Sequence, residues 1–305
     1  MRRRIAIVGT GAVGGWYAAL LAAAGHDVRC LARRDAAVIE QSGLRIRTAT
    51  GVRTQRVTLA TDDPRLIGEV DLVVVAAKAT ANSGLPDTIR SMCGPDTTLL
   101  TLQNGMGNAE VLRQVAEADR VVAGLCFVCI NRTAPGEIET TLPGYVRMAA
   151  ALGPINARVD ECVRLFADAG VDCRAESSLE GVLWKKLCWN IPFNGLSIAA
   201  GGLTTDQILA NPALRTRARH LMDEVRAASE ARGTPFGIDH IERQFAVTEG
   251  MGPYRTSSLI DYQEGREVEI ESIWGIPLER GTSVGVAMPE LARLLEEIRE
   301  RVRSR

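Results

Sequence analysis

Short apolar segments that are rich in β-branched residues alternate with helical patterns along the first half of the chain. Ile5–Val8 is continuously apolar, and so is Val73–Ala77 at the end of the predicted strand Val70–Ala76, as expected for parallel strands that are buried on both faces. The other predicted strands are Val28–Ala32, Val57–Ala60, Thr98–Leu102, Val121–Ile130, Val146–Leu152 and Val171–Arg174. Helices are predicted between several of them, including Ala109–Ala118 and Asn156–Ala169. This alternation predicts an α/β fold around a parallel sheet.

Beyond residue 177 the β-rich segments largely stop and amphipathic helices follow. Pro289–Arg303 has leucines and isoleucine on one face and charged residues on the other. Similar patterns predict helices at Ala213–Ala231, Asp239–Glu249 and Ser257–Glu264. A chain of 305 residues is also longer than one typical core. We therefore predict two domains, a Rossmann-type domain over residues 1–176 and an all-helical domain over residues 177–305.

A glycine-rich turn follows the first predicted strand and leads into a helix. Its GxGxxG pattern is formed by Gly9, Thr10, Gly11, Ala12, Val13 and Gly14. The first glycine permits a tight turn, the second lets a pyrophosphate approach the backbone, and the third allows close packing of helix on strand. The free N–H groups and positive dipole end of the helix favour phosphate. Because the strand, turn and helix occur in this order, the motif predicts dinucleotide binding.

The second strand ends at Arg33 and Arg34. An acidic residue that binds an unmodified ribose 2′-hydroxyl is expected near this point, and arginine stands there instead. Arg33 can pair with a 2′-phosphate, so the sequence favours NADP over NAD. Asp35 keeps NAD open as the alternative.

Polar residues follow two further strands. Lys78 comes directly after Val73–Ala77, and Asn104 lies in the loop that follows Thr98–Leu102. Ligands of open α/β sheets bind beyond the carboxyl ends of the strands, so both side chains are expected near the glycine loop. For each residue, capping of its own loop is the alternative role.

The second half opens with Trp184–Gly195, where Lys186, Asn190 and Asn194 are spaced by four residues and share one face of a helix. Lysine is scarce, because Lys78, Lys185 and Lys186 are the only lysines among 36 basic residues. Unlike arginine, a lysine ammonium can be tuned into a proton donor. Pro192 cannot donate a helical hydrogen bond, so a kink or an interruption is expected there.

Charge and cysteine usage limit the classes of partner. The net charge is −1, which gives no field that would attract nucleic acid or an anionic membrane. Seven scattered cysteines do not form a disulfide framework, and Cys126 and Cys129 face opposite sides of a predicted strand, which argues against a metal site. We expect a soluble cytoplasmic protein without a metal.

Taken together, these features resemble the ketopantoate reductase (2-dehydropantoate 2-reductase) family over the whole chain. The specific part of the resemblance is the set Lys186, Asn190 and Asn194 together with Ser257 and Glu269, twelve residues apart. It implies transfer of a hydride from NADPH to a 2-oxo acid such as ketopantoate, with Lys186 as general acid and Glu269 holding Lys186 or a substrate hydroxyl.

The resemblance further implies that Asn104, Asn190, Asn194 and Ser257 bind the substrate. Lys78 and Asn104 would lie between nicotinamide and substrate, and a homodimer is implied although the composition does not require one. Tyr254 departs from the family, which often has asparagine there. A reductase of a bulkier 2-oxo acid is therefore one alternative, and a non-catalytic NADP(H)-binding regulator is the other.

Overall fold

The computed structural model describes all residues from Met1 to Arg305. The strands are β1 Arg4–Val8, β2 Asp27–Leu31, β3 Leu44–Thr48, β4 Gly51–Gln55, β5 Leu59–Thr61, β6 Val70–Val75, β7 Cys93–Thr101, β8 Val121–Ala134, β9 Glu137–Ala150 and β10 Asp172–Ala175. The α-helices are α1 Ala12–Ala23, α2 Ala36–Ser42, α3 Pro64–Ile67, α4 Leu85–Arg90, α5 Asn108–Leu112, α6 Ala157–Asp168, α7 Leu179–Ala199, α8 Thr205–Ala210, α9 Pro212–Ala231, α10 Ile238–Gly250, α11 Ser257–Gln263, α12 Ile276–Thr282 and α13 Pro289–Arg303. None of these helices is long and apolar enough to cross a membrane.

The chain divides into two compact units. The first comprises Met1–Asn104 and Asn108–Leu179, and the second comprises Gly105–Gly107 and Glu180–Arg305. That residues 1–176 and 177–305 are separate folding domains stays a prediction.

The first unit is built on one mixed sheet in which β8, β7, β6, β1, β2 and β5 lie side by side and run parallel. The chain leaves β1 to form β2 on one side and returns to place β6 on the other, so the strand order reverses at β1. The ends of the central strands are level, because Val8 is in register with both Leu31 and Val75, and Val75 with Thr101. Loops that follow these four strands therefore emerge at one edge, where this class of fold binds nucleotides.

The predicted Rossmann-type fold is confirmed, and its strands are buried on both faces as their apolar runs indicated. Along β1, Ile5 and Ile7 pack into one core cluster, whereas Ala6 and Val8 pack into the cluster on the opposite face. Fully burying one such isoleucine contributes roughly 1.5–3 kcal/mol to folding. The continuous apolar pattern thus reflects a sheet that is covered by helices on both sides.

The remaining strands extend the sheet beyond a mononucleotide-binding unit. β8 and β9 form a long antiparallel hairpin, to which β3 and β10 add in parallel and β4 antiparallel to β3. Val146–Leu152, predicted as a separate strand, is mostly the second half of β9. The predicted helix Ala109–Ala118 is also shorter, since α5 ends at Leu112.

The second unit is all-helical, as predicted, and α7 lies in its core. Every residue of α7 from Asn190 to Ile198 is buried, which is typical of a helix surrounded by others. The predicted interruption at Pro192 does not occur, because α7 continues to Ala199. The helix is held on this side by tertiary packing: Trp274 Nε1 donates a hydrogen bond of 3.0 Å to the carbonyl of Ile191, and the absence of a side chain at Gly195 lets Trp274 and Leu294 approach the helix.

Candidate active site

The glycine loop between β1 and α1 has two positions that admit no side chain. Gly9 has φ +89°, and a Cβ atom there would lie 2.6 Å from the backbone of Ala77, which follows β6. A Cβ atom at Gly14 would overlap the carbonyl oxygen of Gly9. These two glycines therefore let the turn pass close to the neighbouring strand and let α1 begin directly above it.

The space beside Gly11 is open, since a Cβ atom there would meet nothing within 4 Å. Gly11 is the N-cap of α1, no side chain caps the helix, and its first turn contains no acidic residue. The free N–H groups and the positive end of the helix dipole thus face a space that can accept a phosphate. This geometry fits the pyrophosphate of a dinucleotide.

Arg33 and Asp35, the two residues that distinguish NADP from NAD, lie in different surroundings. Arg33 is exposed just beyond the end of β2 and makes no ion pair. Asp35 is only 5% exposed, and its carboxylate accepts hydrogen bonds of 2.7 Å and 2.5 Å from Arg132. Its Oδ2 also accepts from the backbone N–H of Gly136 at 3.4 Å. The carboxylate that kept NAD open is therefore engaged within the protein, while the guanidinium that favours NADP is available.

Arg132 was not identified from the sequence. It lies on the outer part of β8, 97 residues from Asp35, and no local pattern relates the two. Its pairing with Asp35 is visible only once the long β8–β9 hairpin is in place.

Lys78 and Asn104 lie beyond the level ends of β6 and β7, at the same edge of the sheet as the glycine loop. Lys78 precedes a 3₁₀-helix, Ala79–Gly84, and its carbonyl accepts a hydrogen bond of 3.0 Å from Ala81 N–H. Asn104 is followed by α5, and its carbonyl accepts a hydrogen bond of 2.9 Å from Asn108 Nδ2. Each residue thus caps its loop through its backbone.

The second unit carries Lys186, Asn190 and Asn194 on one uninterrupted helix, α7, so their spacing of four residues places them on one face. Lys186 is half-buried, whereas Lys185 is exposed. The two lysines point about 100° apart around the helix. Lys186 therefore belongs to the row of amides, and its neighbour does not.

Asn190 is the most informative member of this row. It is 8% exposed, yet its side-chain amide makes no hydrogen bond. Its amide oxygen and nitrogen are not fully enclosed, so they remain accessible to a ligand. Such a group on a core helix is suited to a ligand that supplies the missing donors and acceptors.

Asn194 is 1% exposed and is partly used to hold α11. Its Oδ1 accepts a hydrogen bond of 3.0 Å from Ser258 N–H and a longer one of 3.4 Å from Ser257 Oγ. The Ser257 side chain is itself exposed, so Asn194 fixes this hydroxyl while its own Nδ2 stays available as a donor. Asn194 and Ser257 are therefore brought together, as the resemblance implied.

Glu269 directly precedes an irregular helix start. Ile270 is followed by a π-helical turn, Glu271–Gly275, which continues into α12, and the carbonyl of Glu269 accepts hydrogen bonds from Ile273 N–H and Ser272 Oγ at 3.2 Å and 3.3 Å. Such π turns occur often at functional sites. Glu269 thus lies two residues before the π turn, whereas Glu271 is its first residue.

Tyr254 lies between α10 and α11, three residues before Ser257. Its half-buried ring is 6.3 Å from that of Trp189, measured between centroids, and Trp189 in turn lies 5.2 Å from Phe193. Trp189 is fixed by a 2.9 Å hydrogen bond from its Nε1 to Thr248 Oγ1. The residue that departs from the family is thus part of an aromatic cluster beside α7.

Both halves of the chain match models of one protein family. Residues 5–153 match the model described as Ketopantoate reductase PanE/ApbA, and residues 178–302 match Ketopantoate reductase PanE/ApbA C terminal. A 2-dehydropantoate 2-reductase from Nostoc sp. is 36% identical over 97% of this chain and 94% of the relative. The chain belongs to the ketopantoate reductase family. It is therefore an oxidoreductase of a class that acts on CH–OH groups, and reductases of this family use NADPH.

Solved structures of ketopantoate reductases have the same fold. A 2-dehydropantoate 2-reductase from Geobacter metallireducens is 39% identical, with a TM-score of 0.93 over 97% of this chain and 99% of that one. One from Methylococcus capsulatus is 33% identical, with a TM-score of 0.87 over 97% and 96%. Both the mixed sheet and the helical second half are thus properties of the family.

Proposed function

We propose that this protein reduces the ketone of 2-dehydropantoate (ketopantoate) to the alcohol of pantoate, with NADPH as the hydride donor and Lys186 as the general acid. The observation that carries the proposal is the row on α7, where a half-buried lysine shares one helix face with Asn190, a buried amide that has no partner in the protein. A small polar molecule with hydroxyl, ketone and carboxylate oxygens would satisfy such a row.

The first unit fits NADP rather than NAD. Gly9, Gly11 and Gly14, with Thr10, Ala12 and Val13 between them, would hold the pyrophosphate at the start of α1. Arg33 would pair with the 2′-phosphate, because its guanidinium has no internal partner, and Asp35 would not compete, because Arg132 occupies it. Lys78 and Asn104 would contact the nicotinamide end, with Asn104 also reaching the substrate.

In the reaction, the cofactor supplies a hydride to the ketone carbon. Lys186 donates a proton from Nζ to the carbonyl oxygen as negative charge develops on it, and its positive charge stabilises that oxygen before the transfer. The neutral amine then recovers a proton from water. Glu269 would orient Lys186 or a substrate hydroxyl, and Asn190 would bind the substrate through both ends of its amide. Asn194 would donate one hydrogen bond through Nδ2, and Ser257, whose proton is donated to Asn194 Oδ1, would accept one from a substrate hydroxyl.

Steady-state oxidation of NADPH with ketopantoate tests the proposal. Loss of a general acid lowers rates by about 10²–10⁴-fold, so Lys186→Ala is expected to reduce kcat by that amount. Lys186→Arg keeps the charge but cannot release a proton, so it should stay close to Lys186→Ala. Lys185→Ala, at the exposed neighbouring position, is the matched control and should retain wild-type turnover. Normal kcat in Lys186→Ala would refute the assigned role.

A second candidate is the reduction of a 2-oxo acid with a bulkier side chain. The observation that favours it is the contact between Tyr254 and Trp189, which places aromatic surface beside Ser257 and Asn190 in the sequence. A panel of 2-oxo acids with branched and aromatic side chains separates the two candidates by kcat/KM. NADPH binding without turnover of any of them would instead indicate a regulator. The expected homodimer stays a prediction, and light scattering in solution would test it.

A further inference from the structure

A chain of hydrogen-bonded side chains connects the loops that follow β6 and β7. Thr101 Oγ1 donates to Gln103 Oε1 at 3.0 Å, and Gln103 Nε2 donates to Asn82 Oδ1 at 2.9 Å. Asn82 Nδ2 donates to Asn108 Oδ1 at 2.9 Å, and Asn108 Nδ2 donates to the backbone carbonyl of Asn104 at 2.9 Å. Four consecutive bonds thus begin at the end of a core strand and finish on the peptide that carries the Asn104 side chain.

The bonds of this amide chain (Thr101, Gln103, Asn82 and Asn108) all run in one direction. Each amide accepts through its oxygen and donates through its nitrogen, so turning any one of them over would place two donors or two acceptors against each other. Aligned bonds of this kind polarise one another and strengthen the series. The amide chain therefore has one arrangement in which every member is hydrogen-bonded.

The amide chain is anchored in the core and not on the surface. Thr101, Gln103 and Asn108 are 3%, 8% and 4% exposed, and Gln103 N–H also donates to Thr101 Oγ1 at 3.2 Å. Buried amides are costly to leave unpaired, so a break at one member disturbs the others. Rigidity at the end of β7 is thus transmitted to both loops.

Both loops carry residues of the proposed site. Asn82 lies in the 3₁₀-helix that begins directly after Lys78, and the carbonyl of Lys78 is bonded into its first turn. At the other end of the amide chain, Asn108 holds the carbonyl of Asn104.

We propose that Asn82, Gln103 and Asn108, anchored by Thr101, are positioning residues that set the Lys78 and Asn104 side chains relative to each other for binding of the nicotinamide end of NADPH. This inference rests on the proposed function, since it assumes the roles given there to Lys78 and Asn104. None of the positioning residues needs to touch substrate or cofactor.

The strand β7 offers a matched pair of variants. Thr101→Val removes the hydroxyl that anchors the amide chain, whereas Thr97→Val removes an equally buried hydroxyl in the middle of the same strand. Thr97 also makes two hydrogen bonds, donating to the carbonyl of Val70 at 2.6 Å and accepting from Gly94 N–H at 2.8 Å. Both variants lose similar packing and bonding, so a purely structural role predicts similar behaviour.

The readouts are the Kd of NADPH, measured by fluorescence without substrate, and kcat/KM with ketopantoate. Loss of one neutral hydrogen bond changes a binding or rate constant by about 3- to 10-fold. Thr101→Val should therefore raise the NADPH Kd and lower kcat/KM by about that factor. Thr97→Val should lower thermal stability and leave both quantities within about twofold of wild type. Equal effects in the two variants, or an unchanged Kd in Thr101→Val, would overturn the inference.

A non-additivity test identifies the residues through which the amide chain acts. In a background that lacks both side chains, Lys78→Ala with Asn104→Ala, Thr101→Val should have no further effect on the NADPH Kd. An additional loss equal to that in the wild type would overturn the inference. If Thr101→Val does not fold, the half-buried Asn82→Ala replaces it in both experiments. Absence of turnover in the wild-type enzyme would contradict the proposed function alone, because the Kd comparison needs no substrate.

Discussion

Replacing Asp35 by asparagine tests whether its carboxylate stabilises the protein or binds the cofactor. In the structure, the Asp35 side chain is 7% exposed and the Arg132 side chain 35%. Asp35→Asn keeps the shape but loses the charge and places an amide N–H₂ group against a guanidinium N–H. We therefore expect the variant to lose stability while keeping its preference for NADPH over NADH.

The magnitude follows from the burial of the two partners. Breaking a buried ion pair by removing one charge costs about 3–5 kcal/mol when the other charge stays buried. Water reaches a third of Arg132 and screens its charge, which reduces the expected loss to about 2–3 kcal/mol. In a protein of this size that corresponds to a fall in Tm of roughly 3–5 °C.

Calorimetry measures the stability, and kcat/KM with each cofactor measures the preference. Arg33→Ala is the complementary control: its side chain is exposed and unpaired, so Tm should not change. Loss of a charge-assisted bond to the 2′-phosphate should raise KM for NADPH by about 10- to 100-fold and leave KM for NADH unchanged. An unchanged Tm together with a shifted cofactor preference in Asp35→Asn would refute the reasoning.

Three further predictions concern other parts of the molecule. Gly14→Ala places a methyl group against the carbonyl oxygen of Gly9, so NADPH binding should be lost while the tryptophan fluorescence of the second unit is retained. Binding and fluorescence measurements test this, and wild-type affinity for NADPH would contradict the geometry. Asn190→Ala should raise KM for ketopantoate with little change in Tm. Asn194→Ala should raise KM and lower Tm, because only Asn194 also holds α11. Equal losses of Tm in the two variants would contradict this difference in roles. Burial lowers the pKa of His240 below its ordinary value of 6.5, so the unfolded state binds a proton first as pH falls and stability is lost below about pH 6.5. His240→Gln should reduce this loss when denaturant titrations at pH 5 and pH 8 are compared. A His240 titration midpoint at or above 6.5, measured by NMR, would disagree.

The sequence predicted those parts of the fold that depend on local pattern. The glycine loop, the strands β1 and β6 and the helix α13 follow from short-range periodicity and turn chemistry, and the structure has them at or near the predicted residues. By contrast, β3 and β4 were missed. β4 is almost entirely exposed, so it lacks the apolar alternation that reveals a half-buried strand.

Long-range contacts explain what local pattern could not supply. The proline rule predicts a kink or an interruption at Pro192, but α7 continues through it to Ala199, in a stretch where every residue from Asn190 to Ile198 is buried. Asp35 looks like a candidate ribose ligand until Arg132, 97 residues away, is seen to occupy it. The amide chain is likewise invisible in sequence, because Asn82 and Gln103 come from loops after different strands.

The burial of α7 also bears on how selectivity in this enzyme can evolve. Asn194 lies in the fully buried part of α7 and also holds α11, so a substitution there that reshapes the pocket also disturbs the core. Tyr254 lies instead on the connection between α10 and α11, outside the regular helices, and its ring is half-buried. Changes of selectivity are therefore expected at Tyr254 rather than at Asn194, and libraries for directed evolution should vary Tyr254 while keeping Thr256, which is buried and caps α11.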